Sequence, residues 1–245
     1  MGKAKVVEAI VDPTAWMIDN DIADFLLVHQ TSVLYMCMLG YTFLHGSKVF
    51  AAAPKDASFS YKFVSMILAC TGGGILVPLF INKIPVPIAN DAYPIAILIS
   101  FSIHYYFPIV WQVVTLVPWV KAGIIVLYEC VRAKVVLTFT LAANAAIAPS
   151  LLSFPLFGPI MCGTISGCGG AFLPMNKGLD PILKGMGYPM ITACVGSTLV
   201  HLFMNTSMSE GVIDKKEKAH LHLVLMFILV GLVNGLGLKA KVKQA

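Results

Sequence analysis

The sequence predicts an all-α polytopic membrane protein, with seven transmembrane helices arranged as two inverted three-helix repeats plus a seventh helix. Three observations predict it. Hydrophobic residues make up 58% of the 245 residues and charged residues 12%, about half the charged fraction of a soluble domain. Apolar segments recur along the whole chain, with room for about seven helices of roughly 20 residues and none for a separate soluble domain. One motif also occurs twice inside such segments: Gly73-Gly74-Ile75-Leu76-Val77-Pro78 and Gly169-Gly170-Ala171-Phe172-Leu173-Pro174 both read Gly-Gly-x-x-x-Pro. Asn-Lys follows each (Asn82-Lys83, Asn176-Lys177), then Tyr-Pro (Tyr93-Pro94, Tyr188-Pro189). The offset is 96 residues for the glycines and 95 for Tyr-Pro.

The spans fall at about 24–45, 59–81, 93–116, 119–147, 154–175, 188–208 and 220–238. Residues 1–24 hold seven charged residues and no apolar core, so no signal peptide is expected. Three spans separate one glycine motif from the next. An odd number reverses direction, which makes repeat one (24–116) and repeat two (119–208) inverted copies about an axis in the membrane plane, with 220–238 left over. Seven spans put the termini on opposite sides. Nine lysines collect on the side of the C-terminus and six on the other, so the positive-inside rule places the C-terminus in the cytosol. The opposite face holds nine acidic residues, Glu210, Asp214 and Glu217 among them. They could concentrate cations at a pore mouth. Calcium binding there is an expectation without calcium-loop spacing behind it.

Glycine pairs and prolines weaken helices, and a membrane tolerates this only where protein or water satisfies the freed backbone groups. Two such helices at matching places point to a translocation path. The predicted pore and helix-break residues are therefore Thr71, Gly72, Gly73, Gly74, Ser166, Gly167, Gly169 and Gly170. The other reading of these glycines is close helix packing through small residues. Exposed N–H groups at a break would attract anions and exposed carbonyls cations; the sequence leaves both open.

The fourth span carries charge. Lys121, Tyr128, Glu129 and Arg132 share one stripe at 3.6 residues per turn, and Lys134 points away from it. An arginine mid-span costs about 3 kcal/mol to insert and usually has a partner; Glu129 is the nearest. Either the pair is purely structural, or Lys121 and Arg132 meet a lipid phosphate or sense voltage, with Glu129 orienting Arg132.

Several functions are disfavoured. The six cysteines form no Cys-x-x-Cys pair and lie away from histidine at ligand spacing, so no disulfide or metal site is expected. His29, His45, His104 and His201 fit interhelical hydrogen bonding better than catalysis. No hydrolase, zinc-protease or phosphate-loop motif is present, so the chain is not expected to be an enzyme. A net charge of +5 scattered over loops is not a nucleic-acid signature.

The residues together resemble a family. The three-plus-three-plus-one plan, Gly72-Gly73-Gly74 in span two, Ser166-Gly167-Cys168-Gly169 in span five, Glu129-Cys130-Val131-Arg132-Ala133-Lys134 in span four and Phe25 with His29 in span one are similar to the trimeric intracellular cation (TRIC) channels, closest to invertebrate B-type members. The resemblance covers roughly residues 20–238. It implies a homotrimeric potassium channel of the endoplasmic or sarcoplasmic reticulum membrane, with a luminal N-terminus and a pore in each protomer, supplying counter-ion current for calcium release and uptake. It also implies phosphatidylinositol bisphosphate as a bound lipid, with basic residues of span four on its phosphates and Arg132 at the family arginine. Two positions depart from the pattern. Tyr128 stands where the family has lysine, and Ser166 where some animal members have lysine. Lys121, one stripe position earlier, is the expected substitute for the first. Selectivity would then come from backbone carbonyls and from Thr71 and Ser166.

The alternative function is a seven-helix small-solute carrier of the sugar type. Its repeats are parallel, and a linker helix would stretch the offset to roughly 120 residues, against the 95–96 present. A seven-span receptor predicts no internal repeat.

Overall fold

The computed structural model describes residues 12–173 and 178–237. They are helical, and no strand occurs among them. Asn20 opens α1 (Asp21–Leu26) by accepting from the Ala23 amide at 2.9 Å. The chain then breaks at Val28, which sits in the left-handed region at φ 55°, an unfavourable place for a β-branched residue. The Lys134 ammonium donates to the Val28 carbonyl at 2.7 Å and helps hold the break. The first long helix, α2 (Thr31–Ala52), therefore starts seven residues later than the predicted span at 24–45 and runs seven residues further.

Ser58 caps α3 (Phe59–Phe80), which runs unbroken through Gly72–Gly74 and Pro78. The expected break at these glycines does not occur. Past its end, Asn82 takes φ 54°, the Lys83 amide donates to Pro78 O at 2.7 Å and the Asn82 amide to Leu79 O. This paired 6→1 and 5→2 closure satisfies the last carbonyls of a helix. It explains why Asn-Lys follows the first glycine motif. The second Asn-Lys and Pro174 lie outside the described residues, as do Lys239, Lys241 and Lys243.

A turn, α4 (Val86–Ala89), leads into α5 (Ala92–Tyr106) and α6 (Pro108–Leu116). The predicted third span is bent by 96° between these two helices. Pro108 lacks an N–H, and its ring drives Phe107 out of the helical region, to φ −129° and ψ 58°. The long α7 (Pro118–Ala146) matches its predicted span. Then come α8 (Phe157–Cys168), which tightens into a 3-10 turn at Gly169–Phe172, α9 (Tyr188–Asn205) and α10 (Lys215–Gly235).

Helix α7 is the hub. It packs against α2, α8, α9 and α10, and Tyr128 through Ala133 are buried one after another. Burial all round, rather than along one stripe, marks a central helix. An ion pair lies inside the bundle and large apolar side chains lie outside it. Glu129 and Arg132 are 0% and 1% exposed, while Val64, Phe80, Leu98, Val195 and Leu229 face outward. Such a surface suits a hydrocarbon surround. By length and composition α3 and α10 are able to cross a membrane, and α5 with α6 is a third candidate if the bent pair is one span. The 29-residue α7 is long enough but carries four charges.

Polar contacts tie the bundle at its ends. The His201 ring bonds the Pro155 carbonyl at 2.6 Å, and Asn144 donates to Asn205. Ahead of α1, Asp12 and Thr14 both take hydrogen bonds from Lys218 of α10. The Lys218 bond, helped by those from Thr14, holds the Asp12 carboxyl at about 2. All six cysteines are free.

Candidate functional site

The two copies of the glycine motif meet. A β-carbon on Gly73 would lie 2.3 Å from the Ser166 carbonyl oxygen, and one on Gly170 would lie 2.1 Å from that of Ala69. One on Gly72 would strike the Gly170 backbone at 2.5 Å, and one on Gly169 the Gly73 backbone at 2.7 Å. Helices α3 and α8 thus cross backbone on backbone, which only residues without side chains permit. The close-packing reading accounts for Gly72 and Gly73. Gly169 and Gly170 do both things, since the α-helix gives way to a 3-10 turn there. Gly167 lets α8 approach Val136 and Ala193. Pro78 has no N–H to offer the Gly74 carbonyl one turn back, so the motif frees a backbone acceptor without breaking the helix.

Beside this crossing lies a cavity of about 390 Å³. Helix α2 lines it with Tyr41, His45 and Lys48, an i, i+4, i+7 stripe. Tyr128 comes from α7, Ser166 through Ala171 from the end of α8, and Gly187 and Pro189 from the start of α9. Tyr41 and Ser166 also wall a second space of about 10 Å³, close to the minimum for one water. Cys70, Thr71, Gly74, Tyr93, Val135 and Phe139 complete that chamber, with Val86 of α4 in its wall. The Thr71 and Ser166 hydroxyls bond carbonyls of their own helices, Ile67 at 2.6 Å and Gly163 at 2.7 Å.

The Tyr41 hydroxyl donates to the Cys70 carbonyl at 3.0 Å. Its ring stacks on Tyr128 with centroids 5.1 Å apart and planes 12° from parallel, and His45 packs edge-on at 4.7 Å. The Lys48 ammonium sits 5.4 Å from the Tyr128 ring centroid. Thus, where the resemblance expects a lysine and α7 supplies Tyr128, α2 brings a cation to the same place.

Arg132 is enclosed. Nε donates to Glu129 Oε2 at 2.7 Å, and one terminal nitrogen pairs with the same oxygen at 2.7 Å. That nitrogen also donates to Thr192 Oγ1 at 2.9 Å, and the other to the Pro189 carbonyl at 2.9 Å. The guanidinium lies over the Phe227 ring at 4.1 Å. Gly231 of α10 makes room for Glu129, whose Oε1 would be 2.6 Å from a β-carbon there. The predicted Glu129–Arg132 pairing is therefore present and ties α7 to α9 under cover of α10. Lys121 lies three turns earlier and does not line the cavity. Lys134, read as pointing off the stripe, does so and serves Val28.

The α2 stripe as a unit is not among the features that the sequence singled out. Its spacing was visible, but ending the first span at residue 45 put Lys48 in a loop. Another cavity, about 430 Å³, lies between α9 and α10. Its wall is mostly apolar, and none of the predicted site residues lines it. Among the described residues no group of three or more His, Cys, Asp or Glu is placed to hold a metal ion.

The site thus combines a buried ion pair on the hub helix with a cavity that Tyr41 and Ser166 share with a second, much smaller space. Solved structures narrow the fold. A trimeric intracellular cation channel from C. elegans, without Ca2+, superposes with a TM-score of 0.69 at 19% identity, covering 93% of this chain and 98% of that one. A TRIC counter-ion channel studied for its activity in calcium release gives 0.67 at 17% identity, over 88% and 98%. The C. elegans channel with bound Ca2+ gives 0.61 at 16% identity, over 86% and 97%. The fold of this chain is the fold of the TRIC channels. No family model matches the sequence, and no curated protein does.

Proposed function

We propose that this chain is a TRIC-type monovalent cation channel, seven-spanning and homotrimeric, with a pore in each protomer. The observation that carries the reading is the passage: a wide cavity meets a chamber of single-water size at Tyr41 and Ser166, in a fold otherwise seen in cation channels. The chamber is walled by Thr71 and by the helix stretch that Pro78 deprives of a donor. Hydroxyl and carbonyl oxygens suit a partly dehydrated potassium ion. Its place is the endoplasmic or sarcoplasmic reticulum membrane, C-terminus cytosolic, carrying counter-ion current for calcium movement. Nothing in the site calls for catalysis.

Single-channel recording of the purified protein under asymmetric potassium chloride tests this. Ohmic steps reversing near the potassium potential are expected. A silent bilayer together with solute uptake into liposomes would replace the channel by the carrier reading.

Phosphatidylinositol bisphosphate is the proposed regulatory lipid. The sequence pointed to Lys121 and Arg132 for its phosphates. Arg132 already donates to Glu129, Thr192 and Pro189, and a phosphate would have to displace them. Lys48 is exposed in the wall of the cavity that Gly187 and Pro189 at the start of α9 also line. Lys48→Ala is expected to weaken capture by liposomes containing this lipid about tenfold, the scale of one charge-assisted hydrogen bond. Unchanged capture by Lys48→Ala would return the role to α7.

A further inference from the structure

We infer that Tyr41 is the gate of the passage. Its ring separates the cavity from the chamber, and the path opens when the phenol leaves the Cys70 carbonyl and swings into the cavity. The inference rests on the channel reading for its purpose, but the barrier itself is a matter of geometry. Tyr41 and Ser166 are the two residues common to both spaces. Ser166 is a small side chain turned back onto its own helix at Gly163. The bulk at the junction is therefore the Tyr41 ring.

Three helices hold the ring shut. Helix α2 carries it, α3 accepts its hydroxyl proton through Cys70, and α7 supplies the stacking face of Tyr128. Each hold is a single modest contact, one neutral hydrogen bond and one stacked aromatic pair. A closure of that size is reversible at ordinary temperature. On the cavity side there is about 390 Å³ to receive the ring, and on the chamber side about 10 Å³. The ring can move only toward the cavity. His45 and Lys48, one and two turns along the same helix, border the space it would enter, so a ligand seated there would bear on the ring.

Two native thiols report on the barrier. Cys168 lines the cavity and Cys70 lines the chamber. The protein in nanodiscs is treated with a positively charged alkyl methanethiosulfonate, which transfers its thioalkyl group to a thiolate and releases sulfinate. Modified peptides are mapped by mass spectrometry, and thallium flux is measured in parallel liposomes. In the parent, Cys168 is expected to react and Cys70 to be spared. Tyr41→Ala is expected to expose Cys70 and raise flux. Tyr41→Phe keeps the ring and loses only the bond to Cys70, so it guards against a folding artefact. It should raise Cys70 labelling and flux up to about tenfold, the scale of one hydrogen bond.

Cys70 labelled as fast in the parent as in Tyr41→Ala would overturn the gate. So would Cys70 protection and parental flux in both variants, and in that case the channel reading stands. Opening of Cys70 without thallium flux in any form would leave the barrier in place and remove the channel reading instead.

Discussion

Glu129→Ala is expected to yield little folded protein. The substitution leaves the Arg132 guanidinium 1% exposed, without the carboxylate that takes two of its contacts. Breaking a buried pair by removing one partner costs about 3–5 kcal/mol, a large share of the roughly 5–15 kcal/mol that holds a typical domain. Arg132→Ala should fail similarly, because it strands Glu129 and frees the Pro189 carbonyl and Thr192. The informative variant removes both charges. Glu129→Leu with Arg132→Met replaces the pair by apolar side chains of similar length, and such exchanges are often neutral or stabilising. The double variant should therefore recover most of the lost stability. The measure is the monodisperse fraction after detergent extraction and its midpoint on heating. If Glu129→Ala melts with the parent, the pair does not hold α7 to α9. A double variant that folds but no longer carries potassium flux would show that the pair serves conduction as well as structure.

The glycine crossing gives the second large effect, and it is graded by position. Gly73→Ala and Gly170→Ala push a β-carbon to 2.3 and 2.1 Å from carbonyl oxygens of the facing segment. Backbone has to move in both, so the cost lies at or above the top of the roughly 1–3 kcal/mol seen for overpacking. Gly74→Ala meets only the Val86 side chain at 3.3 Å, which can yield, and should be milder. Gly123→Ala in α7 meets nothing within 4 Å and should raise the midpoint, since alanine in a helix interior is favoured over glycine by about 1 kcal/mol. Thermal midpoints of the four variants should fall in the order Gly170 and Gly73 lowest, then Gly74, then Gly123. Equal midpoints for Gly73→Ala and Gly123→Ala would mean that α3 and α8 do not touch as described.

Much of this was legible in the sequence. Composition is enough for an all-helical bundle with an apolar exterior, and i, i+3 spacing is enough for Glu129 with Arg132. Both are local or additive properties. What the sequence hid depends on distant partners. The apolar residues 25–28 hold no glycine, asparagine or proline, yet the helix breaks at Val28, whose carbonyl is bonded by Lys134, 106 positions later. The glycine run read as a weak point stays helical, packed tightly against a segment nearly a hundred residues away. Pro108 was visible as a breaker, but the size of the bend, 96°, goes with packing of Trp111 of α6 against Phe43 and the cluster around Tyr128 on other helices. The α2 stripe of Tyr41, His45 and Lys48 was in plain view by spacing. Its meaning required knowing that Tyr128 faces it.

Where α3 and α8 cross, the contact is main chain against main chain. Main chain has no rotamers to exchange, so the separation there is set by van der Waals contact between backbone atoms. This wall of the cavity therefore has a fixed gauge. Any widening must come from across it, where α2 stands with an aromatic ring on a rotatable bond. The molecule therefore divides its labour mechanically: a rigid jaw built of glycine faces a jaw that can adjust.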